Sequence, residues 1–161
     1  MTTRVDVAEQ VTERPATALD EGFFRRVFVA DRVGDFLLAL PPVQAEALVA
    51  DQFRLQTVGY AEAYPHASHR VVLWRGRPVG RVIDADQGTH LLLVDLVLDP
   101  AARGLGIGTQ VVQRVQDKAR AAGQHVHLQA VVGSRAVRLY EALGFRTVGA
   151  AGDRLQMAWT A

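Results

Sequence analysis

The sequence Leu-Val-Leu-Asp-Pro-Ala-Ala-Arg-Gly-Leu-Gly-Ile-Gly-Thr, residues 96–109, decides the fold of this chain. An apolar run ends at Pro100, and glycines then alternate with apolar residues before a segment with helical periodicity begins. This order predicts a β-strand, a glycine-rich turn and the start of an α-helix. The turn contains Gly104, Leu105, Gly106, Ile107 and Gly108.

This turn predicts a site for a phosphate-bearing ligand. The first turn of a helix has unpaired N–H groups at the positive end of the helix dipole, and both favour an anion. Glycines let the anion approach the main chain, and Arg103 adds a positive charge beside the turn. Glycine turns also occur in P-loops and Rossmann folds, and some only pack a helix on a sheet. No Gly-Lys-Ser/Thr is present, and the turn lies too late in the chain for a Rossmann fold.

Composition indicates one globular domain. The chain has 161 residues, 49% of them hydrophobic and 22% charged, which suits a single domain with a sizeable core. We expect that domain to span residues 1–161, with residues 1–12 as a loosely ordered leader. The net charge of +1 argues against nucleic acid or an anionic membrane as partner.

The absence of cysteine excludes disulfides and thiolate metal sites and favours a cytoplasmic location. The N-terminus has no signal-peptide pattern, and no apolar run approaches the ~20 residues of a membrane span. We therefore expect a soluble protein without a membrane partner. Whether the chain forms a homodimer is open at this point.

The order of predicted elements is typical of an α/β fold with a sheet of mixed direction. Helical periodicity covers residues 20–32 and 43–60, ahead of a hairpin over 69–83. A strand over 91–98, the helix after the glycine turn, a strand over 125–132, a helix over 135–143 and strands at 145–148 and 154–159 complete the chain.

Asp95 is the one acid in the apolar strand 91–98. A carboxylate in a buried strand costs several kcal/mol of desolvation unless it is paired, hydrogen-bonded or open to a wet cleft. Two interpretations follow: a structural partner of an arginine or of neighbouring amides, or a group that holds or deprotonates a cationic substrate. The sequence supports both.

Two motifs resemble those of the GCN5-related N-acetyltransferase (GNAT) family. Residues 103–108, Arg-Gly-Leu-Gly-Ile-Gly, resemble its Arg/Gln-x-x-Gly-x-Gly/Ala motif, and residues 139–145, Leu-Tyr-Glu-Ala-Leu-Gly-Phe, resemble its C-terminal motif. Residues 14–17 resemble its first strand, so the similarity covers residues 12–160. The resemblance implies the single-domain GNAT fold, with about seven strands, about four helices and two central parallel strands, 91–98 and 124–131, that splay apart.

The resemblance also implies acetyl-CoA as co-substrate, with no metal. In this family the pyrophosphate lies on the amides of the glycine turn, and the pantetheine arm runs along the preceding strand. The predicted cofactor-binding residues are Leu96, Val97, Leu98, Arg103, Gly104, Leu105, Gly106, Ile107, Gly108, Thr109, Ser134 and Tyr140. Family members transfer the acetyl group directly to an amine, which agrees with the absence of a cysteine or Gly-x-Ser-x-Gly nucleophile.

Tyr140 is the predicted general acid, because a phenol with a pKa of about 10 is neutral at pH 7 and can protonate a thiolate. Asp95 is the first candidate for the base or amine anchor, followed by His127 and His90. A zinc site at His125 and His127 lacks further ligands at suitable spacing.

Three family positions carry other residues here: an asparagine position is Gly133, and positions that hold glutamate or another family residue are Leu128 and Leu92. Ser134 is a candidate replacement for the missing asparagine. These departures leave the base unassigned.

The predicted acceptor is a small amine or amino-acid-like molecule, because the first helices and the closing hairpin carry no dense acidic patch. Three alternatives remain. They are a catalytically weak acyl-CoA-binding sensor, an acetyltransferase for protein N-termini or lysines, and a nucleotide-binding or partner module that uses the same turn.

Overall fold

The computed structural model describes residues 10–36 and 40–161. In these residues seven strands form one sheet: β1 Val11–Pro15, β2 Ser68–Trp74, β3 Arg77–Asp86, β4 His90–Leu98, β5 His125–Val131, β6 Arg146–Ala151 and β7 Arg154–Trp159. Four α-helices accompany them: α1 Glu21–Phe36, α2 Pro42–Ala63, α3 Ile107–Ala121 and α4 Arg135–Ala142. The strand order is β1-β2-β3-β4-β5-β7-β6, in which β4 and β5 are parallel and the other neighbours antiparallel.

This architecture confirms the predicted mixed α/β fold, with its seven strands and four helices. The leader prediction is wrong at its end, because Val11 and Thr12 belong to β1 and the Val11 side chain is fully buried. Residues 1–9 of the predicted leader lie outside the described residues. Pairing with β2 orders Val11 and Thr12, a long-range contact that local sequence does not reveal.

The helices cover the two faces of the sheet. On one face α3 and α4 pack over the larger core, which includes Val111, Val115 and Tyr140. On the other face α1 and α2 pack against β2 through a smaller aromatic cluster. The members of that cluster are Phe24, Phe28, Val49, Phe53 and Val71. Both helix pairs present apolar residues at helical spacing, so each buries one stripe on the sheet.

The central parallel strands separate halfway along their length. Paired residues of β4 and β5 run from His90 and His125 to Leu93 and Leu128, whereas both strands continue beyond that point. The register between β3 and β4 shifts there and leaves Val94 unpaired as a β-bulge. A bulge bends its strand and increases its twist, which accounts for the divergence. The predicted splay of the central strands is thus confirmed.

The bulge also decides which face receives Asp95. Leu93, before the bulge, is buried in the core beneath α3, and Leu96, after it, packs against that same core. Strict alternation would place residues 93 and 95 on one face. The extra residue reverses the alternation, so Asp95 instead faces the α1 and α2 side, where it meets Arg81.

We expect Gly80→Ala to destabilise the fold. Gly80 lies opposite Leu98, and an added Cβ would fall against the carbonyl oxygen of Val97 and 2.6 Å from the Leu98 Cδ2. The two strands would have to part, at a cost of about 1–3 kcal/mol. Gly59→Ala in α2 is the control, since its Cβ meets nothing within 4 Å and should stabilise by about 0.5–1 kcal/mol. Urea unfolding of both variants measures the difference, and equal stabilities would contradict the tight β3–β4 approach.

Candidate active site

A cavity of about 630 Å³ occupies the gap between β4 and β5. Its walls are the diverging halves of the two strands, the glycine turn, the start of α4 and parts of α1, α2 and β7. The cavity brings together Asp95 and every predicted cofactor-binding residue except Leu105, which is 40% exposed outside it. The strand separation therefore creates the space that the glycine turn borders.

The glycine turn gives the cavity a wall of main chain. Gly104 and Gly106 have φ angles of 75° and 81°, in the left-handed region that favours glycine. A Cβ at Gly104 would meet nothing within 4 Å, so the main chain there is open to a ligand. Helix α3 begins at Ile107, whose buried side chain fixes the helix start beside the cavity. The amides of its first turn are a suitable anion site.

Arg103 is already engaged by protein groups. Its guanidinium forms an ion pair with Asp31 of α1, and its Nη2 donates to the carbonyl oxygen of Leu98 at 3.3 Å. The sequence predicted a positive charge available to phosphate, whereas the structure ties this charge to an acid on another element. A phosphate bound by Arg103 would have to compete with Asp31.

Ser134 contributes an unpartnered polar atom to the cavity wall. It occupies the N-cap position of α4, but its side chain makes no capping hydrogen bond. Its Oγ is buried and has no hydrogen-bond partner among the described residues. Because buried polar groups are usually satisfied, this hydroxyl fits a site that a polar ligand completes.

Tyr140 lines the cavity from α4 and is 6% exposed. Its ring packs against Phe145 with the centroids 5.6 Å apart. Burial raises the pKa of the Tyr140 phenol, and the negative charge of Asp95 adds to that rise. The hydroxyl is therefore neutral at physiological pH and holds a proton that it can donate.

Asp95 forms an ion pair with Arg81, with Asp95 Oδ2 and Arg81 Nη2 2.5 Å apart. The same Nη2 donates to Gln56 Oε1 at 3.1 Å, and the guanidinium lies near the Phe24 and Phe53 rings. Arg81 is 4% exposed, and its Nε has no partner among the described residues. Asp95 thus satisfies the structural interpretation, while its side chain still lines the cavity.

The histidines considered as alternative bases lie apart from the cavity wall. His90 and His127 stack on each other with ring centroids 4.2 Å apart, and neither lines the cavity. Burial lowers the pKa of His127, and the charges of His90 and His125 act in the same direction. Across the described ranges, no group of three or more His, Cys, Asp or Glu side chains is placed to hold a metal ion.

The model of the acetyltransferase (GNAT) family matches residues 37–145. This chain belongs to the GNAT family. As a GNAT protein it is an acyltransferase that takes its acyl group from a CoA thioester and passes it to an amine. No curated protein matches the chain in sequence. In the described part of the chain, no helix is long and apolar enough to cross a membrane.

Solved structures share the GNAT fold at low sequence identity. PaiA N-acetyltransferase from Thermoplasma acidophilum, in complex with coenzyme A, matches with a TM-score of 0.73 and 13% identity over 94% of this chain and 99% of that one. A structure from Corynebacterium glutamicum described as a histone acetyltransferase and related acetyltransferase gives 0.67 and 24%, over 94% and 96%. RimL, a ribosomal alpha-N-protein acetyltransferase, gives 0.65 and 16%, over 98% and 93%. At these identities the likeness establishes the fold.

Four arginines of the site have no role in the sequence-based interpretation. Arg81 pairs with Asp95, while Arg32, Arg154 and Arg135 line the cavity from α1, β7 and the start of α4. Arg81 had a sequence signal, since it interrupts the apolar run of β3 as Asp95 interrupts that of β4. No local pattern marks Arg32 or Arg154, because distant elements bring them to the cavity.

Proposed function

We propose that this GNAT enzyme transfers an acetyl group directly from acetyl-CoA to the primary amine of a small or amino-acid-like molecule. The observation that carries the proposal is the largely buried phenol of Tyr140 on the wall of the strand gap. A cytoplasmic location, which the absence of cysteine favours, belongs to the same proposal.

The donor fits the residues of the glycine turn and its neighbours. The amides from Gly104 to Thr109 would hold the pyrophosphate, the main chain of residues 96–98 would pair with the pantetheine arm, and the unpartnered Ser134 hydroxyl would bond to that arm. Acetyl-CoA, when bound, supplies an acetyl group activated as a thioester. The coenzyme A complex of the PaiA structure supports this donor.

Two side chains divide the proton chemistry. Asp95 orients the acceptor amine through its Oδ1, since Arg81 binds its Oδ2, and takes the proton of the attacking amine directly or through water. A carbon–nitrogen bond forms as the carbon–sulfur bond of the thioester breaks. Tyr140 then donates its proton to the departing thiolate sulfur. The transfer needs no covalent intermediate on the protein.

The size and walls of the cavity favour a small acceptor. We call the part of the cavity lined by Phe28, Arg32, Gln56, Tyr60 and Arg154 the acceptor end. Side chains from α1, α2 and β7 border it, and the only acids among the described lining residues, Asp31 and Asp95, are both paired with arginines, which gives a basic peptide little to bind. RimL resembles this chain only at the level of the fold. Acetylation of a protein N-terminus is therefore treated as one outcome of the test below.

The test is an assay of thiol release and acetylated product with acetyl-CoA and a panel of amines. The panel contains small amines, amino acids, and peptides with free N-termini or lysines. Turnover of small amines supports the proposal, and turnover of peptides alone identifies a protein acetyltransferase. Tight acetyl-CoA binding without turnover identifies a sensor. Thermal stabilisation by ATP or NAD, with indifference to acetyl-CoA, would overturn the donor assignment.

We expect Asp95→Asn to lower both stability and acceptor affinity. The substitution leaves the Arg81 guanidinium buried without its counter-charge, which costs about 3 kcal/mol. The double variant Arg81→Gln with Asp95→Asn removes both charges and should recover most of that stability. It should not recover the KM for the amine, because the Asp95 anchor is still missing. Denaturant unfolding and acceptor KM separate the two roles, and a wild-type KM in the double variant would limit Asp95 to structure.

A further inference from the structure

We propose that the acceptor carries an anionic group, a carboxylate or a phosphate, in addition to its amine, and that Arg32 and Arg154 bind this group. The inference rests on the proposed function, because it specifies the acceptor class of the same cavity. It assigns the two arginines as specificity-determining residues.

The two arginines reach the acceptor end from different elements. Arg32 lies on α1, and Arg154 is the first residue of β7, paired with Val131 of β5. Both line the cavity, as does Tyr60 of α2. Burial raises the pKa of Tyr60 to about 12, with Asp95 acting in the same direction and the positive charges of Arg81, Arg154 and Arg32 opposing it. Arg32 and Arg154 thus line the same cavity as Tyr60 and lie near enough for their charges to act on its phenol.

The ion pairs that the structure describes in the cavity wall include neither Arg32 nor Arg154 of the acceptor end, nor Arg135, which lines the cavity beside Ser134 at the start of α4. Each acid of the wall already has an arginine: Asp95 pairs with Arg81, and Asp31 with Arg103. Among the residues that the structure describes, Arg32 and Arg154 pair with no carboxylate. Counted over the side chains that the structure describes, the acceptor end therefore has an excess of two positive charges beside the neutral Arg81–Asp95 pair.

This excess disfavours a purely cationic acceptor and favours one with a negative group. Guanidinium groups match carboxylates and phosphates with two parallel hydrogen bonds, which gives orientation as well as attraction. The Arg32 guanidinium lies 4.2 Å from the centroid of the Phe28 ring, a contact that holds it in place. An anion on Arg32 and Arg154 and an amine on Asp95 would together orient the nucleophile toward the strand gap.

Matched acceptor pairs test the inference. Each pair differs only in the anionic group: an amino acid and its amide, or phosphoethanolamine and ethanolamine. We expect the anionic member of at least one pair to have a kcat/KM about tenfold higher, equivalent to one bound ion pair of about 1.4 kcal/mol. Comparison of the carboxylate pair with the phosphate pair identifies the anion.

We expect the variants Arg154→Gln and Arg32→Gln each to lose most of the preference for the anionic acceptor. The loss should appear as a higher KM for that acceptor, with the KM for acetyl-CoA unchanged. Arg146→Gln is the matched control, because Arg146 is an exposed arginine of β6 that does not line the cavity. Equal use of neutral and anionic amines would overturn the inference. An equal loss of kcat/KM for both members of a pair in the arginine variants would overturn it as well. A loss of acetyl-CoA affinity in these variants would also overturn it, because the arginines would then bind the donor.

A calorimetric titration separates this inference from the proposed function. The anionic amines are titrated into the complex of the protein with CoA, so that no turnover is needed. Binding that weakens in Arg154→Gln supports the inference even if no product forms, whereas absence of product contradicts the proposed enzyme activity. If amines are acetylated but no anionic amine binds more tightly than its neutral partner, the proposed function stands and the inference fails.

Discussion

Tyr140→Phe is expected to lower kcat by about 10²-fold, the lower range for loss of a general acid, and to leave the affinity for acetyl-CoA unchanged. The thiolate that leaves the thioester needs a proton, and the Tyr140 phenol borders the cavity with its proton retained. Phenylalanine fills the same space against Phe145, so the helix and the cavity wall should keep their structure. The loss should therefore appear in the chemical step rather than in donor binding.

The measurement is steady-state turnover at saturating amine, together with acetyl-CoA binding by calorimetry. Tyr64→Phe is the control, since Tyr64 lies at the end of α2 and does not line the cavity. Tyr60→Phe makes the same chemical change at the acceptor end and should act mainly on the acceptor KM. A wild-type kcat in Tyr140→Phe would remove Tyr140 as the acid, and a larger loss in Tyr60→Phe would transfer the role to Tyr60.

The pH dependence gives the same assignment a second readout. A general acid acts in its protonated form, and the raised pKa of Tyr140 keeps it protonated above the ordinary tyrosine value of about 10. We therefore expect kcat to show no descending limb due to this group as the pH rises toward 10. A limb with a midpoint below that value would indicate a different acid.

The sequence was sufficient to predict the fold because its two motifs lie at the ends of local elements. The glycine turn begins α3 at Ile107, and the segment from Leu139 to Phe145 contains the buried face of α4 and its exit. Periodicity and turn residues are local signals, so the helices and strands follow from them. The prediction that the central strands splay apart came from the family resemblance. The bulge at Val94 supplies the physical cause of this splay.

The charge pairing of the site was beyond reach of the sequence for a different reason. Asp95 is conspicuous as an acid in an apolar strand, but its partner depends on the register of β3 against β4 and on the bulge that changes its face. Arg103 shows the same limit, because the Asp31 that neutralises it lies 72 positions away in sequence. Side chains that meet across several elements are fixed by tertiary packing, and local patterns do not encode those meetings.

Gly106→Val tests the phosphate site that the sequence of residues 96–109 predicts. Gly106 has a φ of 81° and immediately precedes α3, so valine there adds a β-branched side chain beside the amides proposed to hold the pyrophosphate. We expect the Kd for acetyl-CoA to rise at least about 100-fold, equivalent to 2.7 kcal/mol, because charged hydrogen bonds of about 1.5–3 kcal/mol each would be lost. Calorimetric titration measures this change.

Strain alone must be separated from the loss of ligand contacts, because a left-handed conformation costs a non-glycine residue about 1–2 kcal/mol. Gly123→Val supplies that control: Gly123 has a φ of 67° just beyond the other end of α3, where a Cβ meets nothing within 4 Å. Both substitutions should lower the free energy of unfolding by similar amounts, but only Gly106→Val should weaken the binding of acetyl-CoA. Retained affinity in Gly106→Val would move the pyrophosphate away from this turn, and equal losses of affinity in both variants would attribute the effect to a distorted helix.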